Sequence, residues 1–159
     1  MKIECYNKVY QQQVIELILN IQQNEFNVPV TINDQPDLLE VENFYFKGNG
    51  NFWVATENST VVGTVALIDM GNNLVCLRKM FVHADYRGKE KGTGQLLLDG
   101  VVDWCRQKNI TAIYLGTVDK LIAAQKFYLK NNFVEIPKSA LPVSFPVMQV
   151  DNMFFKLVV

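Results

Sequence analysis

A basic, glycine-rich loop at residues 87–94 is the part of this chain best suited to chemistry. Its glycines are Gly88, Gly92 and Gly94, and its cationic side chains are Arg87, Lys89 and Lys91. Glycine lets a backbone bend until several N–H groups point at one place. An apolar stretch precedes the loop and an amphipathic helical pattern follows it, and a helix N-terminus carries partial positive charge. The arrangement predicts a binding site for a ligand that carries phosphate.

Two well-known phosphate loops do not fit this segment. A P-loop needs four residues between its glycines and then Gly-Lys-Ser/Thr, whereas only three residues separate Gly88 from Gly92. A dinucleotide fingerprint needs a small residue where this chain has Leu97. Residues 89–94 match a third pattern, R/Q-x-x-G-x-G/A, with lysine in the first position.

The third pattern resembles the pyrophosphate-binding motif of the GNAT superfamily, the acetyl-CoA-dependent N-acyltransferases. Two further segments support the resemblance. Residues 77–88 are similar to the family's fourth strand and the turn after it, although the loop that follows is two residues longer here. Residues 124–133 are similar to its A-x-x-F-Y-x-K-x-G-F element, and one helix and one strand separate the two. The resemblance spans residues 75–135.

The resemblance implies that acetyl-CoA is the acyl donor and that backbone N–H groups of the loop hold its pyrophosphate. The pantetheine would pair with the strand backbone from Met80 to Val82, beside a splay between the fourth and fifth strands. A backbone N–H near Val82 could then polarise the thioester carbonyl. The cofactor-binding residues implied in this way are Met80, Phe81, Val82, Arg87, Gly88, Lys89, Lys91, Gly92, Thr93 and Gly94.

Tyr128 is the one catalytic residue that the resemblance implies. The matching tyrosine can protonate the leaving thiolate, a general-acid role worth typically ~10²–10⁴ in rate. The alternative is that Tyr128 packs the cofactor against the sheet, with its hydroxyl on a backbone partner. Several family members carry a glutamate that acts as the general base where this chain has Cys76. The candidates for the general base are therefore Asp69, Glu57 and a chain of waters.

Other residues near the motif leave further alternatives. Leu121 stands where family members often have asparagine. Asn132 stands where many have glycine, and asparagine tolerates a left-handed backbone better than most residues do. His83, the only histidine, is expected to be a solvated residue at the end of a strand rather than a catalytic one. Because side chains alternate along a strand, one of Arg78 and Lys79 should face the substrate side, where an arginine could pair with an acceptor carboxylate.

The patterns of apolar and turn residues place the loop in a mixed chain. Strands are predicted at 2–6, 51–57, 60–69, 73–83, 112–117 and 153–159, and helices at 8–24, 37–46, 93–108 and 121–131. Short turns make most neighbours antiparallel, whereas a strand–helix–strand unit makes the middle pair parallel. With the resemblance, this predicts a GNAT-like α/β (α+β) fold. Its central sheet would be mixed and mostly antiparallel, with a splayed parallel pair in the middle and helices on both faces.

Composition narrows the class of protein. The length of 159 residues predicts a single domain over 1–159, and a hydrophobic content of 49% with 19% charged residues suits a soluble globule. A net charge of −1 gives no support for binding nucleic acid. Three cysteines without a C-x-x-C pair and one histidine predict neither a metal site nor a disulfide framework. Without a signal peptide or a membrane span, we expect a cytoplasmic protein.

The predicted function is an N-acetyltransferase in which a primary amine of a small molecule or peptide attacks the thioester of acetyl-CoA directly. Two alternatives keep the cofactor site: an enzyme with another acyl group or a protein lysine as acceptor, and a non-catalytic acyl-CoA-binding sensor or structural module. Three prolines between 137 and 146 could shape the wall of a substrate pocket. A homodimer is an alternative to a monomer, because such sheets have exposed strand edges through which two copies could pair.

Overall fold

The computed structural model describes residues 1–159 and is organised around one seven-stranded sheet. The strands are β1 (Lys2–Cys5), β2 (Asn51–Glu57), β3 (Thr60–Gly71), β4 (Leu74–Val82), β5 (Ala112–Thr117), β6 (Val134–Ile136) and β7 (Met153–Val158). The helices are α1 (Gln11–Asn20), α2 (Val41–Tyr45), α3 (Thr93–Gln107) and α4 (Ile122–Lys130). The strands lie in the order β1-β2-β3-β4-β5-β7-β6, and only β4 and β5 pair in parallel. This mixed sheet confirms the predicted fold class.

Two tight turns explain why the first half of the sheet is antiparallel. The turn between β2 and β3 has positive φ at Asn58 (51°) and Ser59 (67°), and the turn between β3 and β4 has it at Asn72 (54°) and Asn73 (61°). Hairpin turns of this kind match the right-handed twist of the strands they join, and asparagine tolerates the left-handed region well. The meander from β2 to β4 therefore follows from local sequence.

Two predicted helices differ from the structure, and one strand of the structure was not predicted. The helix expected over 8–24 begins with a 3-10 turn at Lys8–Tyr10 and ends in a π turn at Ile21–Glu25, with α1 between them. The helix expected over 37–46 starts as a 3-10 turn at Pro36–Leu39 before α2. Strand β6 was not predicted, because two of its three residues are exposed and so short an edge strand gives no alternating pattern.

Apolar side chains cover both faces of the sheet. On one side, called the α3 face, α3 packs on the sheet through Leu97 and Val101, and Tyr128 of α4 belongs to the same cluster. On the other side, called the α1 face, one cluster holds α1 and α2 and a second holds Phe145 of the connection between β6 and β7. The presence of helices on both faces is confirmed.

The parallel strands β4 and β5 touch over only three residue pairs. Leu74, Val75 and Cys76 lie opposite Ala112, Ile113 and Tyr114. Beyond these pairs the strands separate, and a cleft of about 470 Å³ opens between their carboxyl ends. Ligands of open sheets bind at the carboxyl ends of parallel strands, and a volume of this size suits a small-molecule site.

Candidate active site

Five parts of the chain form the walls of the cleft. They are the segment after α1, the second half of β4, the end of β5, the start of α4 and the connection between β6 and β7. The cleft is therefore bounded by elements of both faces of the sheet. The glycine loop lies beside it on the α3 face, because a side-chain carbon at Gly94 would lie 3.9 Å from the Met80 side chain, which lines the cleft.

The glycine loop has the backbone geometry that the sequence predicted. Gly88 (φ 93°) and Gly92 (φ 65°) both lie in the left-handed region, which favours glycine. Gly92 is also the residue that precedes α3, and no side chain caps the helix. The first N–H groups of α3 are consequently free of protein side-chain acceptors. Lys89 and Lys91 are exposed and form no ion pair.

Arg87, the third cation of the loop, is already engaged. Its guanidinium donates two hydrogen bonds to the Glu25 carboxylate, at 2.8 and 2.9 Å, and its Nε donates to the Val82 carbonyl at 2.7 Å. Bidentate pairs of this geometry are among the stronger exposed contacts. Arg87 thus joins the π turn after α1 to the end of β4, whereas the two lysines leave their charges available to a ligand.

Thr93 contributes to the loop through its backbone only. Its side chain is fully buried, and its hydroxyl donates to the Met1 sulfur at 3.4 Å. The N–H of Thr93 belongs to the first turn of α3, where no intrahelical acceptor exists.

A bulge interrupts β4 where it pairs with β3, in the half of the strand that lines the cleft. The register between β3 and β4 shifts between Thr64 and Ala66, and Lys79 adopts the left-handed region at φ 54°. Because the bulge breaks the alternation of side chains, Arg78 and Lys79 both lie on the α1 side of the cleft, where they contact Met148 and Asp37. The prediction that only one of them faces the substrate side is wrong for this reason.

Lys79 is held by a buried polar network on the α1 face. Its Nζ donates to Gln35 Oε1 at 2.6 Å and lies 3.6 Å from Asp37 Oδ2, which also accepts from the Tyr45 hydroxyl at 2.6 Å. The side chains of Lys79 and Asp37 are only 6% and 8% exposed. Burial lowers the pKa of Lys79 to about 8, although the Asp37 charge opposes the shift. The Lys79 carbonyl accepts from the Thr64 hydroxyl at 2.7 Å, which fixes the bulge from its other strand.

Tyr128 lies in α4 with its ring buried and its side chain on the wall of the cleft. The ring packs against Phe133 and Phe155, at centroid distances of 5.4 and 6.0 Å. No protein group forms a hydrogen bond with its hydroxyl, so the backbone partner considered from the sequence is absent. Burial raises the pKa of Tyr128 above its ordinary value, so the hydroxyl keeps its proton at neutral pH.

The two carboxylates that the sequence left open as general bases are engaged elsewhere, whereas a chain of waters stays a prediction. Asp69 accepts the backbone N–H groups of Asn49 and Gly71, both at 2.8 Å, and Glu57 pairs with the terminal amine of Met1 at 3.2 Å. Neither carboxylate lines the cleft. Burial raises the pKa of the Cys76 thiol to about 12, so that thiol stays protonated at neutral pH.

His83 and Asn132 have backbone roles. The Nδ1 of His83 accepts the Asp85 N–H at 3.1 Å and so caps the 3-10 turn at Ala84–Tyr86. The side chain is partly exposed to solvent, as expected of a histidine at the end of the strand, and its non-catalytic character stays a prediction. Asn132 has φ 70°, which is the left-handed conformation that a glycine would supply.

Leu121 precedes α4 as its cap residue and offers no side-chain hydrogen bond there. The turn between β5 and α4 is held instead by Gln125, which donates to the Asp119 carbonyl at 2.6 Å, and by Asn152, which accepts the Asp119 N–H at 2.9 Å. Leu121 cannot form the side-chain hydrogen bonds that an asparagine offers, but the turn itself is fixed.

Two further charged residues lie at the cleft: Arg78, which the sequence analysis considered, and Asp151, which it did not single out. Arg78 donates to the Met148 sulfur at 3.1 Å and pairs with no carboxylate. Asp151, just before β7, brings its carboxylate against Gly116 of β5, 35 residues earlier in the chain. No local pattern marks Asp151, since its place depends on the path of the connection from β6.

Residues that could form a metal site do not cluster in the structure. None of its helices combines the length and the hydropathy that crossing a membrane requires.

Comparison with known proteins gives a consistent result. The model of the acetyltransferase (GNAT) family matches residues 15–133. The N-acetylaspartate synthetase of Xenopus tropicalis is 38% identical over 104 residues, which cover 63% of this chain and 37% of that protein. The chain spans about a third of the length of the curated relatives of this name.

Solved structures match the whole fold. An acetyltransferase of the GNAT family from Staphylococcus aureus Mu50 is 47% identical with a TM-score of 0.93, over 98% of this chain and 96% of that one. An acetyltransferase from Streptococcus agalactiae 2603 is 29% identical with a TM-score of 0.94, over 99% and 98%. The fold also occurs, at 16% identity and a TM-score of 0.73, in the PaiA N-acetyltransferase of Thermoplasma acidophilum, solved in complex with coenzyme A.

Proposed function

The chain belongs to the GNAT acetyltransferase family, and we propose that it transfers the acetyl group of acetyl-CoA to a primary amine of a small molecule or peptide. The observation that carries the proposal is the cleft between β4 and β5, which has an uncapped helix N-terminus beside it and the unpartnered Tyr128 hydroxyl on its wall. Acyl transfer from acetyl-CoA is the activity of the family. The choice of a primary amine and the residue roles below are the parts that need testing.

The donor side of the proposal rests on the α3 face. The free N–H groups at the start of α3 and the unpaired charges of Lys89 and Lys91 suit a pyrophosphate. Past Cys76 the edge of β4 that faces β5 has no strand partner. The backbone of Met80 and Phe81 can therefore pair with the pantetheine amides on this edge. The Val82 carbonyl already accepts from Arg87, so it is less available to the pantetheine, whereas a backbone N–H near Val82 keeps its predicted role at the thioester carbonyl.

Tyr128 acts in this proposal as the general acid. Its hydroxyl, protonated at neutral pH and free of protein partners, gives its proton to the sulfur as the C–S bond breaks. Positioning supplies a further share of the rate, because the cleft brings donor and acceptor together between two fixed strands.

On the acceptor side, the unpaired Arg78 guanidinium favours a carboxylate on the amine substrate. The name of the N-acetylaspartate synthetases is consistent with such a substrate. We therefore rank amino acids with a free amine ahead of simple alkyl amines. Residues 1–159 would act as one catalytic domain, and a cytoplasmic location and a homodimer stay predictions.

A binding module without turnover is the second candidate. The observations that favour it are Cys76 and Leu121, which replace a base and a polar contact of active family members. Release of free thiol from acetyl-CoA separates the two functions. L-aspartate, spermidine and a peptide with a free N-terminus are suitable acceptors for this assay. Tight binding of acetyl-CoA without thiol release in any mixture would favour the sensor.

The loop is tested by replacing its free lysines. We expect Lys89→Ala combined with Lys91→Ala to weaken the binding of acetyl-CoA and of desulfo-CoA roughly tenfold, since each exposed charge contact is worth up to about 1 kcal/mol. Isothermal titration at two salt concentrations measures the effect, which should shrink at high salt. The exposed pair Lys47→Ala and Lys138→Ala, which removes the same charge outside the loop, is the control. Equal affinities of the loop variant and the wild type would argue against the assigned pyrophosphate site.

A further inference from the structure

Asp151 stands at the acceptor side of the cleft. Its backbone N–H donates to the Met148 carbonyl at 3.1 Å, which closes a turn just before β7. Its carboxylate reaches across to β5, where a side-chain carbon added at Gly116 would lie 2.9 Å from the carboxylate carbon. Gly116 thus leaves the space that lets this carboxylate reach the point where β5 parts from β4.

The Asp151 carboxylate is available to a ligand. It forms no ion pair, and no side chain donates a hydrogen bond to it. The other charged or titratable side chains that line the cleft are Cys76, Arg78, Lys79, Asp119, Lys120 and Tyr128. Of these, Lys79 is paired within its own network and Asp119 is exposed at the rim.

The surroundings of Asp151 suit proton transfer. Partial burial raises the pKa of the Asp151 carboxyl above its ordinary value, while the Arg78 charge and the Met148 backbone oppose the shift. The carboxylate of Asp151 is therefore more basic than that of an exposed aspartate. Arg78 and Asp151 together offer one positive and one negative group on the same wall, which matches an amine substrate that also carries a carboxylate.

We propose that Asp151 binds the ammonium group of the acceptor and removes its first proton, and so supplies the general base that β4 lacks. This role rests on the proposed acetyl transfer. Asp151 is assigned this role because it is the one carboxylate on the cleft wall that is partly buried and forms no ion pair. Glu57 and Asp69 lie outside the cleft and have other partners.

Each proton has a defined destination in this scheme. The acceptor enters as R–NH3⁺, and the Asp151 carboxylate takes one proton to leave the neutral amine. The nitrogen lone pair forms a bond to the thioester carbon, and the carbonyl π electrons move onto oxygen. When the carbonyl re-forms, the C–S bond breaks and the sulfur takes the Tyr128 proton. The second nitrogen proton then restores the Tyr128 hydroxyl, and Asp151 passes its own proton to water, so that an amide, a thiol and one proton result.

The pH dependence of Asp151→Asn tests the role with L-aspartate and spermidine as acceptors. In the wild type, kcat/KM should stay level from the Asp151 pKa up to the pKa of the amine, which lies at about 8–10. In the variant it should rise tenfold per pH unit over that range, because only the small neutral fraction of the amine can react. We expect a loss of about 10²–10⁴-fold at pH 7 that shrinks towards pH 10. Asp103→Asn, an exposed carboxylate on α3, is the control.

Gly116→Ala provides a second variant that keeps the charge. The added methyl would force the Asp151 carboxylate away from β5, so we expect a loss of at least tenfold in kcat/KM with unchanged affinity for acetyl-CoA. A loss of equal size at every pH, no loss in Asp151→Asn, or the pH-dependent loss appearing in Asp119→Asn instead would overturn the role of Asp151. A wild type that acetylates no amine would overturn the proposed function itself, which thiol release by the unmodified protein reveals first.

Discussion

Tyr128→Phe is expected to lower kcat by ~10²–10⁴-fold while the affinity for acetyl-CoA stays within about twofold. The variant loses only the hydroxyl, which has no hydrogen-bond partner in the protein. The ring contacts with Phe133 and Phe155 are kept, so the packing of α4 on the sheet should not change. Without the hydroxyl, the sulfur must leave as a thiolate or take its proton from water. The loss therefore belongs to the chemical step.

Steady-state thiol release and isothermal titration of acetyl-CoA separate the two parts of this prediction. Tyr114→Phe is a matched control, because Tyr114 of β5 is as buried as Tyr128 but does not line the cleft. An unchanged kcat in Tyr128→Phe would contradict the general-acid role of Tyr128. A loss confined to acetyl-CoA affinity would instead favour the packing role that the sequence left open.

Lys79→Met should destabilise the fold by about 3–5 kcal/mol at pH 7, the cost of breaking a buried ion pair from one side. The change removes the cation that faces the Asp37 carboxylate, and Asp37 stays buried with only the Tyr45 hydroxyl as partner. Urea unfolding followed by tryptophan fluorescence measures the difference. Lys79→Met combined with Asp37→Asn removes both charges and should recover most of the loss. A double variant as unstable as Lys79→Met would contradict the charge pairing as the cause.

The same residue predicts a pH dependence of stability. Lys79 has a pKa of about 8 in the folded protein, below its ordinary value of 10.5. Between these values the unfolded chain binds more protons than the folded one, so the free energy of unfolding gains a term that rises with pH. The difference in unfolding free energy between wild type and Lys79→Met should accordingly grow from pH 8 to pH 10.5. A difference that stays constant over this range would show that Lys79 titrates normally.

Features set by local backbone requirements could be predicted from the sequence. The glycine loop is one example, because Gly88 and Gly92 stand where φ is positive, and the asparagine-rich turns between β2, β3 and β4 are another. The helix over 93–108 was also placed within one residue of α3, since its apolar stripe is regular.

Features set by contacts between distant segments could not be predicted. The partner of Arg87 is Glu25, 62 residues away, and nothing in the basic loop marks that contact. The left-handed conformation of Lys79 has no signal in its own residue type, because it depends on the register of β3 against β4. Asp151 likewise comes to Gly116 only through the path of the chain after β6.

The contacts of Glu25, Gln35 and Asp37 bear on how new substrate preferences could be engineered. Exchanging the segment from α1 to α2 for that of a relative is an obvious way to graft another acceptor pocket onto this scaffold. These three side chains, however, hold Arg87 beside the glycine loop and Lys79 in the bulge of β4. A transplanted segment that lacks them would release both and disturb the part of the protein that we propose to bind acetyl-CoA. In the proposed reaction the two substrates are therefore not bound by separable modules, and a working chimera must keep these three residues.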